Sequence, residues 1–146
     1  RLMLEENSDE PHAEKLSTAL AGRIFETTQA LAEAIQNALP GLDEEDAGQS
    51  VRRVFQALRI AVNEEFTALE MLLRQLPNCL SPGGRVAILS FHSGEDRRVK
   101  KSFEAGLRSG VYSAIAPEVI RPTAEERRSN TRSVPAKLRW AVRRAE

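Results

Sequence analysis

The spacing of apolar residues divides this chain into a helical front and a mixed back. Leu2 and Met3 lie in a helical stretch over residues 1–6 that opens without a capping residue. Leu16, Ala19 and Leu20 share one face of a second helix, expected from Pro11 or His12 to Arg23. Thr27-Thr28 offers an N-cap for a third, with Leu31, Ala34, Ile35, Ala38 and Leu39 as its stripe and Pro40-Gly41 as its stop. Leu42 to Gln49 is acidic and small-residued, and reads as a linker. From Ser50 the helical period resumes and persists to Leu76. Val51, Val54, Phe55, Leu58, Ala61, Val62, Leu69, Leu72, Leu73 and Leu76 keep to one broad face, so a single long helix is expected.

The period then changes. Pro82-Gly83-Gly84 is turn chemistry, since proline presets φ and glycine tolerates positive φ. Arg85 to Leu89 is short and rich in branched apolar residues, as expected of a strand covered on both faces. Polarity arrives abruptly at Ser90, His92 and Ser93. Ligands of open α/β sheets sit just beyond the carboxyl ends of strands, so chemistry is expected here. Ser93 followed by Asp96 fits an N-cap and an acidic N3 residue, starting a helix toward Arg108. Gly106 to Asn130 is irregular, with Pro117 and Pro122. Leu138, Trp140 and Val142 then alternate with Lys137, Arg139 and Arg143, which reads as a final strand with one basic face. Trp140 is expected in the core. Helix, strand, helix, loop, strand is the back half of an α/β sandwich.

Charge sharpens this division. The 146 residues carry no net charge, yet residues 1–50 hold eleven acids against three bases, a balance of −8. Residues 51–146 hold eighteen bases against ten acids, a balance of +8, and fifteen of those bases are arginine. Arginine suits phosphate because its planar fork donates two parallel hydrogen bonds; a solvated surface is the alternative reading. The lone Cys79 rules out an intramolecular disulfide and disfavours a cysteine-based metal site, so no metal is expected. No apolar run is long enough for a membrane span and no signal-peptide pattern opens the chain, which predicts a cytoplasmic protein.

Four segments resemble, in order, the bacterial small-subunit ribosomal RNA cytosine-N4 methyltransferases. They are Asp9-Glu10…Ala13–Leu20 with Thr27-Thr28…Leu31-Ala32; Arg53-Val-Phe-Gln-Ala-Leu-Arg-Ile-Ala-Val-Asn-Glu-Glu65; Pro82-Gly-Gly-Arg…Ser90-Phe-His-Ser-Gly-Glu-Asp-Arg97…Val99-Lys100; and Asn130-Thr-Arg-Ser-Val-Pro-Ala-Lys-Leu-Arg139. The second and third are specific, and together the four cover nearly the whole chain. The resemblance implies the C-terminal half of a class I, Rossmann-like methyltransferase domain plus a small all-helical insertion. Residues 1–48 would be most of the insertion, and residues 49–146 the C-terminal part of the α/β domain. The family's glycine-rich turn, ribose-holding acid and adenine pocket lie upstream of any matching residue here, and no Gly-x-Gly occurs in the sequence. The chain is therefore expected to be a fragment or a truncated relative with no cofactor-binding residues, inactive alone. Departures fall at Gln49-Ser50 for His-Pro, at Gly94 for Leu, and at Thr131, Val134 and Pro135 within an Asn-Pro-Arg-x-Arg-Ser pattern.

The implied reaction is methyl transfer from S-adenosylmethionine to the N4 amine of a cytosine in 16S rRNA, on the small ribosomal subunit. Ser90, His92 and Ser93 are the catalytic candidates. His92 either faces the target base or caps the strand end by hydrogen bonding; Ser93 either meets the base edge or caps the helix. Glu95 and Asp96 fit helix-dipole complementarity better than an acid pair. Arg53 and Arg59, the cluster Arg97, Arg98, Lys100 and Lys101, and Arg132 and Lys137 are the candidate RNA-binding residues, against ion pairing or a solvated face. The alternative function is a non-catalytic RNA- or protein-binding module. An open sheet edge would favour self-association or pairing with a missing N-terminal half.

Overall fold

A computed structural model describes residues 1–145 as a mixed α/β protein of seven α-helices, one 3-10 turn and three strands. The chain forms two compact units, Arg1–Glu65 and Phe66–Glu146.

The first unit holds α1 (Leu2–Ser8), α2 (Ala13–Leu20), α3 (Thr28–Ala38) and α4 (Glu44–Asn63). Leu4, Ala13, Leu16, Ile35, Leu39, Val54 and Ala57 form its core. Thr27 caps α3 as expected, its hydroxyl accepting from the Ala30 N–H. The expected linker is instead the start of α4. Asp43 accepts from the Asp46 N–H, and Glu44, Glu45 and Asp46 place negative charge on the first turn, where the helix dipole favours it. Inside this unit the Glu10 carboxylate is buried and accepts from the Ser50 hydroxyl at 3.1 Å and the His12 N–H at 2.9 Å.

The single long helix expected to Leu76 is two. α4 ends where Glu64 turns left-handed, φ 52°, and α5 runs from Glu65 to Cys79. In the second unit α5 is followed by β1 (Arg85–Ser90), α6 (Ser93–Arg108), β2 (Tyr112–Ile115), α7 (Ala124–Ser129), the 3-10 turn Thr131–Ser133 and β3 (Lys137–Arg143). Gly83 supplies the positive φ of the turn before β1, and its N–H donates to the Arg143 carbonyl. The strand order is β1-β3-β2, antiparallel throughout, with Val86 opposite Ala141, Ile88 opposite Arg139 and Ser90 opposite Lys137. Leu73, Val99, Phe103, Tyr112 and Ala141 are the core between helices and sheet.

Only one face of that sheet is covered, which corrects the expectation for β1. Val86, Ile88 and Ser90 turn inward, whereas Ala87 and Leu89 are exposed. The register then fixes β3. Arg139 and Lys137 share the inner side with Ile88 and Ser90, while Trp140 and Leu138 stand opposite Ala87 and Leu89 on the open side. The basic face of β3 is thus the face toward α6. Trp140, expected in the core, is half-buried on the open face.

Candidate nucleic-acid interface at the strand end

β1 delivers its last residues to the start of α6, and every polar side chain there has a structural partner. Ser90 is buried and its hydroxyl donates to the Lys137 carbonyl at 3.4 Å. His92, not Ser93, is the N-cap of α6. Its extended backbone, φ −139° and ψ 164°, lets Nδ1 accept from the Glu95 N–H at 3.4 Å. An accepting Nδ1 leaves the proton of a neutral ring on Nε2, which lies 3.4 Å from Glu95 Oε1. Glu95 in turn accepts from the Phe91 N–H at 3.0 Å, so two otherwise orphaned donors are satisfied reciprocally. Ser93 becomes the first, exposed residue of the helix.

Beneath the cap, α5 and α6 approach closely. The His92 ring lies 5.6 Å from that of Phe66, and a Cβ on Gly94 would stand 2.6 Å from Phe66 Cζ. Phe66 therefore occupies the space of a side chain at 94. Arg98 lies 3.5 Å over the same ring, donates to Glu70 at 3.0 Å and to the Gly94 carbonyl at 3.2 Å. Asp96 holds Arg139 through two bonds of 2.7 and 3.1 Å, with both side chains largely buried.

These partners sort the candidate RNA-binding residues. Arg98 is committed to Phe66 and Glu70, and Lys100 lies 3.8 Å from Glu104. Arg97 and Lys101 are exposed on α6. Arg53 and Arg59 belong to the helical unit, where Arg59 donates twice to Glu65 at 2.9 and 3.2 Å. Lys137 pairs in register with Ser90. Lys100 borders a groove between α6 and β2, and Arg132 borders one at the end of β1 that was not anticipated.

The groove, about 460 Å³, lies between the end of β1 and residues 120–138. Leu89, Phe91, Ile120 and Leu138 give it an apolar floor, and Arg121, Arg132, Glu126 and Asn130 a polar rim. Phe91 is 50% exposed. Ile120 and Leu138 exchange backbone bonds of 3.0 and 2.9 Å, and Asn130 Oδ1 accepts from the Arg132 N–H, so the rim is fixed rather than loose. Two elements behind it were missed in the sequence. β2 is four residues long with a bulge, too short for a periodic signal. α7 had one: Thr123 caps it by accepting from the Glu126 N–H, the Thr-x-x-Glu pattern of a helix start. Among the described residues no group of three or more His, Cys, Asp or Glu could hold a metal, and no helix is long and apolar enough to cross a membrane.

Comparison with known proteins gives consistent matches. The model of the MraW methylase family matches residues 2–144. Ribosomal RNA small subunit methyltransferase H 1 of Lachnoclostridium phytofermentans is 47% identical, over 97% of this chain and 41% of that protein. Ribosomal RNA small subunit methyltransferase H 2 of Alkaliphilus metalliredigens is 49% identical over 97% of the chain and 43% of its own length. The homologous enzyme of Crocosphaera subtropica is 47% identical over 90% and 42%. The chain thus spans about two fifths of the length of these relatives.

Proposed function

The chain belongs to the MraW methylase family, and from that premise we propose that it forms the substrate-side part of an S-adenosylmethionine-dependent methyltransferase acting on the N4 amine of a cytosine in 16S rRNA. The family match over residues 2–144 carries this reading and favours it over a binding-only module. The strand order β1-β3-β2, antiparallel throughout, fits the terminal strands of a class I sheet. Residues 1–48 are assigned to the helical insertion and 49–146 to the α/β domain, although α4 packs among the helices before it.

The residues present do not fit the methyl donor. The turn from β1 into α6 carries Phe91 and His92 where a cofactor-cradling turn needs glycine, and no Gly-x-Gly occurs elsewhere. We assign cofactor binding to segments of the family outside these residues and derive no catalytic step through it. Ser90, His92 and Ser93 shape the strand end instead. The hydrogen bonds of Ser90, His92 and Glu95 hold Phe91 at the mouth of the groove, and positioning is the contribution such a wall makes to rate. The proposed setting is cytoplasmic, on the small ribosomal subunit.

The open sheet face has a place in this reading. Ala87, Ala114, Trp140 and Val142, with Arg85, line a largely apolar stretch of it. We assign that stretch to contact with the remainder of a class I domain, or with a second copy when the remainder is missing.

The test joins this chain to the preceding segments of the Alkaliphilus relative and supplies labelled S-adenosylmethionine with small subunits lacking the modification. The chimera is expected to label 16S rRNA at N4 of a cytosine, and the chain alone to label nothing. A chimera that transfers no methyl group while the intact relative does overturns the reading.

A further inference from the structure

We propose that the groove at the end of β1 binds one unstacked nucleobase of single-stranded RNA, lying against Phe91, and that Glu126 and Asn130 select a base bearing an exocyclic amine beside a ring nitrogen acceptor. This rests on the reading of an RNA substrate above and adds which surface meets the base, and how.

Phe91 supplies the first argument. An aromatic ring half in water within an apolar floor offers a stacking platform that any base fits. The second is charge. Arg121 and Arg132 rim the groove, and no carboxylate pairs with either among the described residues, whereas Arg59, Arg98 and Arg139 each hold one. Residues 118–145 carry eight bases against three acids, so phosphate is the complementary ligand. The same charge distinguishes this groove from the stretch around Trp140, where Arg85 is the charged lining residue beside alanine, valine and tryptophan: covering two unpaired guanidinium groups with a protein layer would cost more than covering one.

The third argument is the polar pair. Glu126 and Asn130 stand one helical turn apart on and just after α7, and both line the groove. Among the described residues the Glu126 side chain has no partner, and a carboxylate accepts from an exocyclic amine. Asn130 spends Oδ1 on the Arg132 N–H, which leaves its amide nitrogen to donate to a ring nitrogen. With the backbone held in one register by Arg121 and Arg132, cytosine and adenine present that amine to Glu126 and the ring nitrogen to Asn130, whereas uracil presents a carbonyl and an N–H at the same two places, which repel both.

Fluorescence anisotropy with the 146-residue chain and short labelled oligo-C, oligo-A and oligo-U RNAs tests this. Oligo-C and oligo-A are expected to bind more tightly than oligo-U. Phe91→Ala is expected to weaken all three about tenfold or more, the loss of one base–aromatic stack. Glu126→Gln is expected to erase the preference while keeping general affinity, and Arg121→Ala with Arg132→Ala to flatten the salt dependence. All four side chains are exposed, so Trp140 fluorescence is expected to report an intact second unit in each variant. Absence of RNA binding, or equal binding by wild type and Phe91→Ala, overturns the groove. The methyl-transfer chimera keeps the two readings apart: methylation at the wild-type rate by its Phe91→Ala form removes the groove and leaves the enzyme standing.

Discussion

Tyr112 is the least satisfied side chain of the second unit. It is 2% exposed, packs edge-on against Phe103 with ring centres 5.5 Å apart, and among the described residues its buried hydroxyl has no hydrogen-bond partner. An unpaired buried hydroxyl costs about 1–3 kcal/mol, so Tyr112→Phe is expected to hold or raise stability by up to about 1 kcal/mol. Burial also pushes the Tyr112 pKa above its ordinary value. Below the ordinary tyrosine range both states are protonated and stability does not depend on this group. As pH rises past that range the unfolded chain ionises while the folded one resists, so stability falls. Urea unfolding followed by Trp140, the sole tryptophan, is expected to show that alkaline loss in the wild type and less of it in Tyr112→Phe. An identical loss in both would refute the assignment. At this scale the sequence misled over the cap: Ser93 and Asp96 imitate a helix start one residue late, and only the backbone shows that an imidazole does the accepting.

Between elements, the pairing of Gly94 with Phe66 explains a departure that sequence alone left bare. The resemblance puts leucine at 94, and the structure fills that space from α5 with an aromatic ring. Gly94→Ala is expected to destabilise the second unit by about 1–3 kcal/mol despite the better helix propensity of alanine, because overpacking outweighs it. Adding Phe66→Leu is expected to recover most of the loss, a coupling that a double-mutant cycle reads directly. Additive effects would mean that the two positions do not compete for one volume. Helices with strong stripes and caps, such as α3 and α6, were legible. The break at Glu64 was not, because a left-handed residue that is neither glycine nor asparagine leaves no compositional mark. β2 and α7 were lost inside a stretch punctuated by prolines, although Thr123 and Glu126 announced the latter.

At the scale of the whole chain, the family was legible from motif order. The orientation of the last strand was not. Alternation in β3 correctly separated apolar from basic residues, but periodicity cannot say which set faces a helix layer. Asp96 decides it, drawing Arg139 inward across the sheet register. The apolar set is left facing outward around Trp140, so the isolated chain is expected to associate as concentration rises, while the chimera with a complete sheet stays monomeric. Light scattering checks this, and a monodisperse monomer of the isolated chain at high concentration would contradict it. Trp140→Lys should then reduce association without loosening the helix-covered side.

The edge position of β1 has a consequence for the time course of amide deuteration. Pairing with β3 protects only those β1 amides that point toward it; in an antiparallel ladder every second N–H along Arg85–Ser90 points the other way. Exchange along this strand therefore alternates between slow and fast with a period of two. A neighbour that adds a strand would close the fast set while hardly changing the slow one, making β1 a residue-by-residue recorder of whether its sheet has been completed.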